Sequence, residues 1–299
     1  MTNKYLTADY AATEISFGYV QALRGEADPT HCGYFVPLSQ MEKCGWRNID
    51  PAELIEYTYN SGTSEVGILL KQPRMVLTAI SQLGMFDRTA SSKTESLVVV
   101  GNWNRDLKGN PDVSNFQVYL VVFLDDKNQL LHDIPLKLTA KGAHQGSLAE
   151  QWQKSCTAVA LAHSQAEGVS FRPRNEIYNA LCVFVPVITR KLVGNATKSP
   201  ACYIDGFEQP TVDNWQDFFL GNQEATADAV VEMMNPQPRK QLMSAQLFAL
   251  SPHLEAEVIV PTPQLAPGSS PNTNTTGGTS EAIDVKSISA AGSEESIPF

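Results

Sequence analysis

Binding single strands without sequence preference takes aromatic faces for the bases and cations for the phosphates. Two stretches of this chain offer both. The first is Gly101-Asn102-Trp103-Asn104-Arg105-Asp106-Leu107-Lys108-Gly109, where Trp103 stands among polar neighbours with Arg105 and Lys108 beside it. A core tryptophan would sit in an apolar run, so Trp103 is the first candidate for stacking on a base. The second stretch supplies Lys137, Lys141, Arg172, Arg174, Tyr178, Arg190 and Lys191. These lie in basic islands of an acidic chain with net charge −10 over 299 residues. Residues 71–108 carry six cations against three acids, and residues 137–198 carry eight against three. The overall balance argues against a protein that coats duplex DNA with lysine; the islands are also explained by ordinary surface solvation.

Signs of catalysis are weak. There is no Gly-Lys pair for a phosphate-binding loop, no G-x-G-x-x-G and no G-x-S-x-G. Clustered carboxylates of the kind that hold Mg²⁺ are missing, since Asp125-Asp126 reads as a hairpin tip. His132 and Asp133 are neighbours in an extended run and should point to opposite faces, and His144 near Lys141 is a weak general-base candidate. Cys32, Cys44, Cys156, Cys182 and Cys202 are too spread, and odd in number, for a disulfide framework. His31-Cys32 with Cys44 lacks a fourth zinc ligand at finger spacing, which leaves buried reduced thiols. No enzyme, cofactor or metal is expected.

The elements that would position these groups follow from periodicity and caps. β-rich runs lie at Val66–Lys71, Met75–Ile80, Leu97–Val100, Phe116–Leu124, Leu130–Thr139 and Leu181–Thr189. Phe116–Leu124 is apolar on both faces and should be central in its sheet. Ser39-x-x-Glu42 and Ser147-x-x-Glu150 read as capping boxes, and Asp50-Pro51 as a third helix start. From Ser147 to about Glu167, one helical face carries Leu148, Trp152, Cys156, Val159 and His163. A further helix is expected over Val212–Met234 with Trp215 and Phe218 in the core, then a short helix near Lys240–Leu250 and a strand near Glu255–Val260. The longest apolar run, Val118–Leu124, is far short of a membrane span, and Met1–Tyr5 opens no secretory signal. The expectation is an α+β, strand-rich body over 1–260, compatible with an elaborated OB-like barrel or with other α+β sheets.

Composition breaks after residue 260. Residues 261–280 hold no charge and no aromatic ring, and their one sizeable hydrophobe is Leu265. Such a segment cannot bury enough surface to offset its ordering entropy, so 261–288 reads as a disordered linker. Residues 289–299 end in Glu294-Glu295-Ser296-Ile297-Pro298-Phe299. A polar linker closed by an acidic tip ending in Ile-Pro-Phe resembles the C-terminus of bacterial single-stranded DNA-binding proteins. The likeness departs from that family in having two adjacent acids rather than a longer run, and Ser296 where the family usually keeps an acid. Within the body, Cys32-Gly33-Tyr34-Phe35-Val36-Pro37 through Cys44-Gly45-Trp46 resembles uncharacterised domains of cyanobacterial proteins, which implies no activity.

The resemblance implies an OB-fold body that protects single-stranded DNA. It also implies a mobile tip that recruits replication, recombination and repair enzymes through Glu294, Glu295, Ile297, Pro298 and Phe299. The chemistry of the tip suits that role. The Phe299 ring fills a pocket, Pro298 limits unbound conformations, and the carboxylates meet a basic rim. A cytoplasmic, nucleoid- or plasmid-associated protein without a membrane role is implied, with homo-oligomerisation open. The alternative is an interaction scaffold of DNA metabolism that never touches DNA itself.

Overall fold

A computed structural model describes residues 17–59, 61–94, 96–194 and 198–234. The expected helix near 240–250, the strand near 255–260, the linker and the tip lie outside the described residues.

The long apolar run becomes the axis of the fold. The first strands are β1 (Gly18–Arg24), β2 (Cys32–Pro37), β3 (Leu54–Thr58), β4 (Ser64–Leu70), β5 (Arg74–Ala79), β6 (Gly84–Asp87) and β7 (Val98–Asn102). They are followed by β8 (Val113–Leu124) and β9 (Leu136–Lys141), and by a separate hairpin of β10 (Pro186–Val193) and β11 (Ser199–Phe207). β8 pairs with β9 along one edge and with β5 and β6 end to end along the other, which is why its residues are apolar on both faces. Alternation then sorts them. Tyr119, Val121 and Phe123 enter one core, while Val118, Leu120 and Val122 enter the other.

Among the described residues the pairing path runs β3-β4-β2-β1-β9-β8-β6-β7, with β5 beside β8, and does not return on itself, so these residues form a nine-stranded α+β sheet rather than a closed barrel. All pairings are antiparallel except β1 with β9.

Helices α1 (Leu38–Cys44) and α3 (Gly142–Ala166) supply Met41, Cys44 and Leu148 to the first core, with Ile204 of β11. Helix α5 (Glu224–Met234) covers the second with Ala227, Val230 and Met234. Two short helices, α2 (Arg88–Thr94) and α4 (Glu176–Ala180), link neighbouring elements.

Three local expectations are corrected. The chain enters α3 at Gly142, whose φ of 53° suits glycine, five residues before the Ser147 capping box. The Ser147 hydroxyl is spent instead inside the fold, donating to the His144 carbonyl and accepting from the Ile204 N–H at 3.1 Å. Ser39 likewise falls within α1, which starts after Pro37. The single helix expected from Val212 breaks into 3-10 turns at Trp215–Phe218 and Leu220–Asn222 before α5. Tertiary backbone pairing overrides propensity there. Val183 N–H donates to Phe218 O, Leu220 N–H donates to Leu181 O, and Phe219 bridges to Cys182 in extended conformation.

Candidate functional site

The cations and rings singled out from sequence occupy several parts of the surface. Trp103 is 44% exposed in the β7–β8 connection, anchored by its N–H to the Leu83 carbonyl, with Arg105 and Lys108 exposed beside it. Arg172 and Arg174 are exposed after α3. The Arg174 guanidinium lies 5.1 Å from the centre of the Tyr178 ring, which also stacks on Phe219. Lys191 sits over Tyr203 and reaches Asp205, and Arg190 donates to the Gly25 carbonyl at 2.8 Å. Lys137 is half-buried in β9, and burial lowers the pKa of its ammonium. Of these residues, Lys141 lines a cleft in the body.

That cleft forms where β9 leaves the sheet. β1 pairs with β9 only over Gly18–Val20, and β8 pairs with it as far as Lys141. Beyond these points the strand turns into α3 and its two neighbours part. The opening, about 500 Å³, has β1 residues Gln21–Arg24 on one side, with Phe86, Arg88 and Ser114 on another. The first turn of α3 and the end of the β10–β11 hairpin complete it, and Tyr57 and Tyr59 reach it from β3 and the residues after it.

Charge and shape then follow from the residues. Arg24, Arg88 and Lys141 line the cleft together with Glu26, the single carboxylate among the described lining residues, which Arg24 approaches at 3.5 Å. Lys141 stands 5.4 Å from the centre of the Phe86 ring, a cation–π distance. Helix α3 runs 25 residues, yet no side chain caps its start and no acid lies in its first turn. Its dipole therefore adds positive potential to the cleft. Tyr57 and Tyr59 meet edge to face at 5.0 Å, and burial raises both phenols, so both stay protonated donors at neutral pH. Tyr59 donates to Glu65 at 2.6 Å.

Two polar lining residues are buried and unsatisfied. Gln21 is 1% exposed, beside the Tyr59 hydroxyl, and neither of its amide atoms makes a hydrogen bond of normal geometry. His144 is 7% exposed; its Nδ1 donates to the Cys202 carbonyl at 2.9 Å, while Nε2 has no partner. Burial pushes the His144 pKa down to about 4, so the ring is neutral at physiological pH and Nε2 is an acceptor.

Arg24, Tyr57, Tyr59, Phe86 and Arg88 were missed by the sequence reading. The alternation Tyr57-x-Tyr59 was the available signal, since it puts two rings on one face of an extended segment.

The chain matches the family described as "Domain of unknown function (DUF5895)" over residues 15–251. It belongs to the DUF5895 family. "Uncharacterized protein 254L" of Invertebrate iridescent virus 6 is similar, at 28% identity over 173 residues, or 54% of this chain. The aligned part is 50% of the viral protein, so the chain spans half the length of that relative. No solved structure matches. The DUF5895 match takes in every strand described above and the whole cleft. Among the described residues no cluster of three or more His, Cys, Asp or Glu is placed to hold a metal. None of the described helices is long and apolar enough to cross a membrane.

Proposed function

We propose that this DUF5895 protein is a non-catalytic single-stranded DNA-binding protein that holds the strand at the α3 cleft. One observation carries the reading: three cations and the rings of Tyr57, Tyr59 and Phe86 line one opening, beside an uncapped helix start. Phosphates demand the first group of residues and unpaired bases the second, and together they tolerate any sequence. Arg190 and Lys191, on the hairpin whose end forms one wall, extend the positive path beyond the cleft. The tip Glu294–Phe299, with Ile297 and Pro298, serves as a tether for replication and repair enzymes in the cytoplasm, on nucleoid or plasmid DNA. Trp103, Arg105 and Lys108 form a second, weaker contact for a longer strand.

The test is fluorescence anisotropy of labelled oligo-dT with the full chain at two salt concentrations. Binding should weaken as salt rises. Arg88→Gln with Lys141→Gln should weaken it about tenfold at low salt, as expected when two phosphate contacts go. Lys154→Gln, on the exposed side of α3, should leave affinity unchanged. No binding at high micromolar protein and low salt sinks the reading in favour of an interaction scaffold. Loss with Trp103→Ala but not with the cleft variant moves the interface to the loop.

A further inference from the structure

The cleft has room for one nucleotide unit, since a volume of about 500 Å³ suits a ligand of small-molecule size. The first turn of α3 lines it through Gly142, Ala143 and His144. Two further features point to what it holds. His144 is more than nine-tenths buried at the cleft with Nε2 unsatisfied, and the Gln21 amide, buried as deeply, has only a poorly aligned contact with the Tyr59 hydroxyl, which is costly unless a ligand completes them. A primary amide presents a donor and an acceptor side by side, the complement of the imide edge of thymine or uracil and of the amide edge of guanine.

We propose that the cleft seats one terminal nucleotide, with its phosphomonoester at the N-terminus of α3 and its base edge on Gln21. The phosphate lies against the amides at Gly142 and Ala143, with Lys141 and Arg88 beside it. A helix N-terminus accepts such an anion through aligned N–H groups and dipole, and the two cations supply charge-assisted hydrogen bonds. Tyr57 and Tyr59 line the place left for the base. His144 Nε2 offers an acceptor that the one free sugar hydroxyl of a mononucleotide can meet, whereas the sugar at a phosphorylated strand end has both of its oxygens esterified. A terminal phosphate is a dianion at neutral pH, whereas each internal phosphate carries one charge. The seat therefore prefers strand ends that bear a phosphate. This rests on the single-strand reading only in taking a strand as the carrier; a free nucleotide has the same chemistry.

The experiment separates the two carriers. Internally labelled oligo-dT of about ten residues, ending in a 5′-phosphate, a 3′-phosphate or hydroxyls only, is titrated with the full chain. The expected result is that one of the phosphorylated ends binds at least about fivefold tighter than the hydroxyl-ended strand. Thymidine monophosphate should displace it where thymidine does not, and Arg88→Gln, at an exposed position that spares the core, should remove the difference. Should Arg88→Gln alter the far-UV circular dichroism spectrum, the comparison of strand ends on the unaltered chain decides alone. Equal affinity for all three strands overturns the nucleotide seat and leaves the single-strand reading standing. If no strand binds but thymidine monophosphate raises the melting temperature and thymidine does not, the seat stands with a free nucleotide as its carrier, and the single-strand reading falls. No response to any probe overturns both.

Discussion

His132 shows how one buried side chain ties an irregular segment to the sheet. Its Nε2 accepts from the Phe123 N–H at 2.9 Å, its Nδ1 donates to the Ile134 carbonyl at 2.8 Å, and Trp46 stacks on its face. Its neighbour Asp133 turns outward to Arg47, in a bend ahead of β9 rather than in the extended run expected there. Burial pushes the His132 pKa down to about 4. The unfolded chain takes up a proton near pH 6.5, which the folded one resists until about pH 4. Stability from this group is therefore full above pH 6.5 and is lost as pH falls towards 4. Between pH 7.5 and 5 the loss should be about 2 kcal/mol for His132. Burial gives His144 the same sign and a similar loss. Urea unfolding of the wild type and of His132→Gln at both pH values checks this. The variant should be less stable at pH 7.5, and the gap should shrink by about that amount at pH 5. Parallel losses in both proteins would show that His132 titrates normally in the folded state.

At the scale of elements, α3 is held to the β10–β11 hairpin by few polar contacts, and these shape the cleft. The Ser147 hydroxyl accepts from Ile204 N–H, and His144 donates to Cys202 O, both between α3 and β11. Removing the hydroxyl leaves the buried Ile204 amide without its partner, so Ser147→Ala should cost about 1–3 kcal/mol. Its effect should reach the cleft. Hydrogen exchange of the Ala201–Ile204 amides should speed up more than that of β5 amides, which a uniform loss of stability would not produce. The capping-box pattern at Ser147 concealed this role, because a hydroxyl three residues before a glutamate reads the same whether it caps a helix or braces one from within. The segment around Phe219 was illegible for a related reason. Its apolar spacing fits a helix, but the bridge to Cys182 depends on a segment nearly forty residues earlier in the chain.

At the scale of the molecule, the proposed strand site and the proposed tether can be tested separately. Deleting Phe299 removes the ring that would fill a partner's pocket and changes none of the cleft-lining residues. Pull-down of enzymes that bind such tails should be abolished, while affinity for oligo-dT stays within about twofold, or 0.4 kcal/mol. Undiminished capture by the deleted chain would refute the tether, and a large fall in DNA affinity would mean that the tip takes part in the strand site.

Some of this protein was settled by its sequence alone, where the signal is local. Residues 116–124 carry apolar side chains on both faces, and that requires a central strand. Leu148, Cys156 and Val159 recur at helical spacing and are buried as that spacing demands. The polar surroundings of Trp103 marked it as exposed, whereas Trp215, read as core from the face of a helix that does not form there, is buried between polar sequence neighbours. The cleft was decided only by tertiary structure. Tyr57, Phe86, Arg88 and Lys141 come from four different elements, and their meeting depends on β1 running parallel to β9 only as far as Val20 and Leu138, beyond which β9 departs. Periodicity says which face of a strand is buried. Which strand lies beside it is set by the burial of all of them together, and no window of sequence contains that.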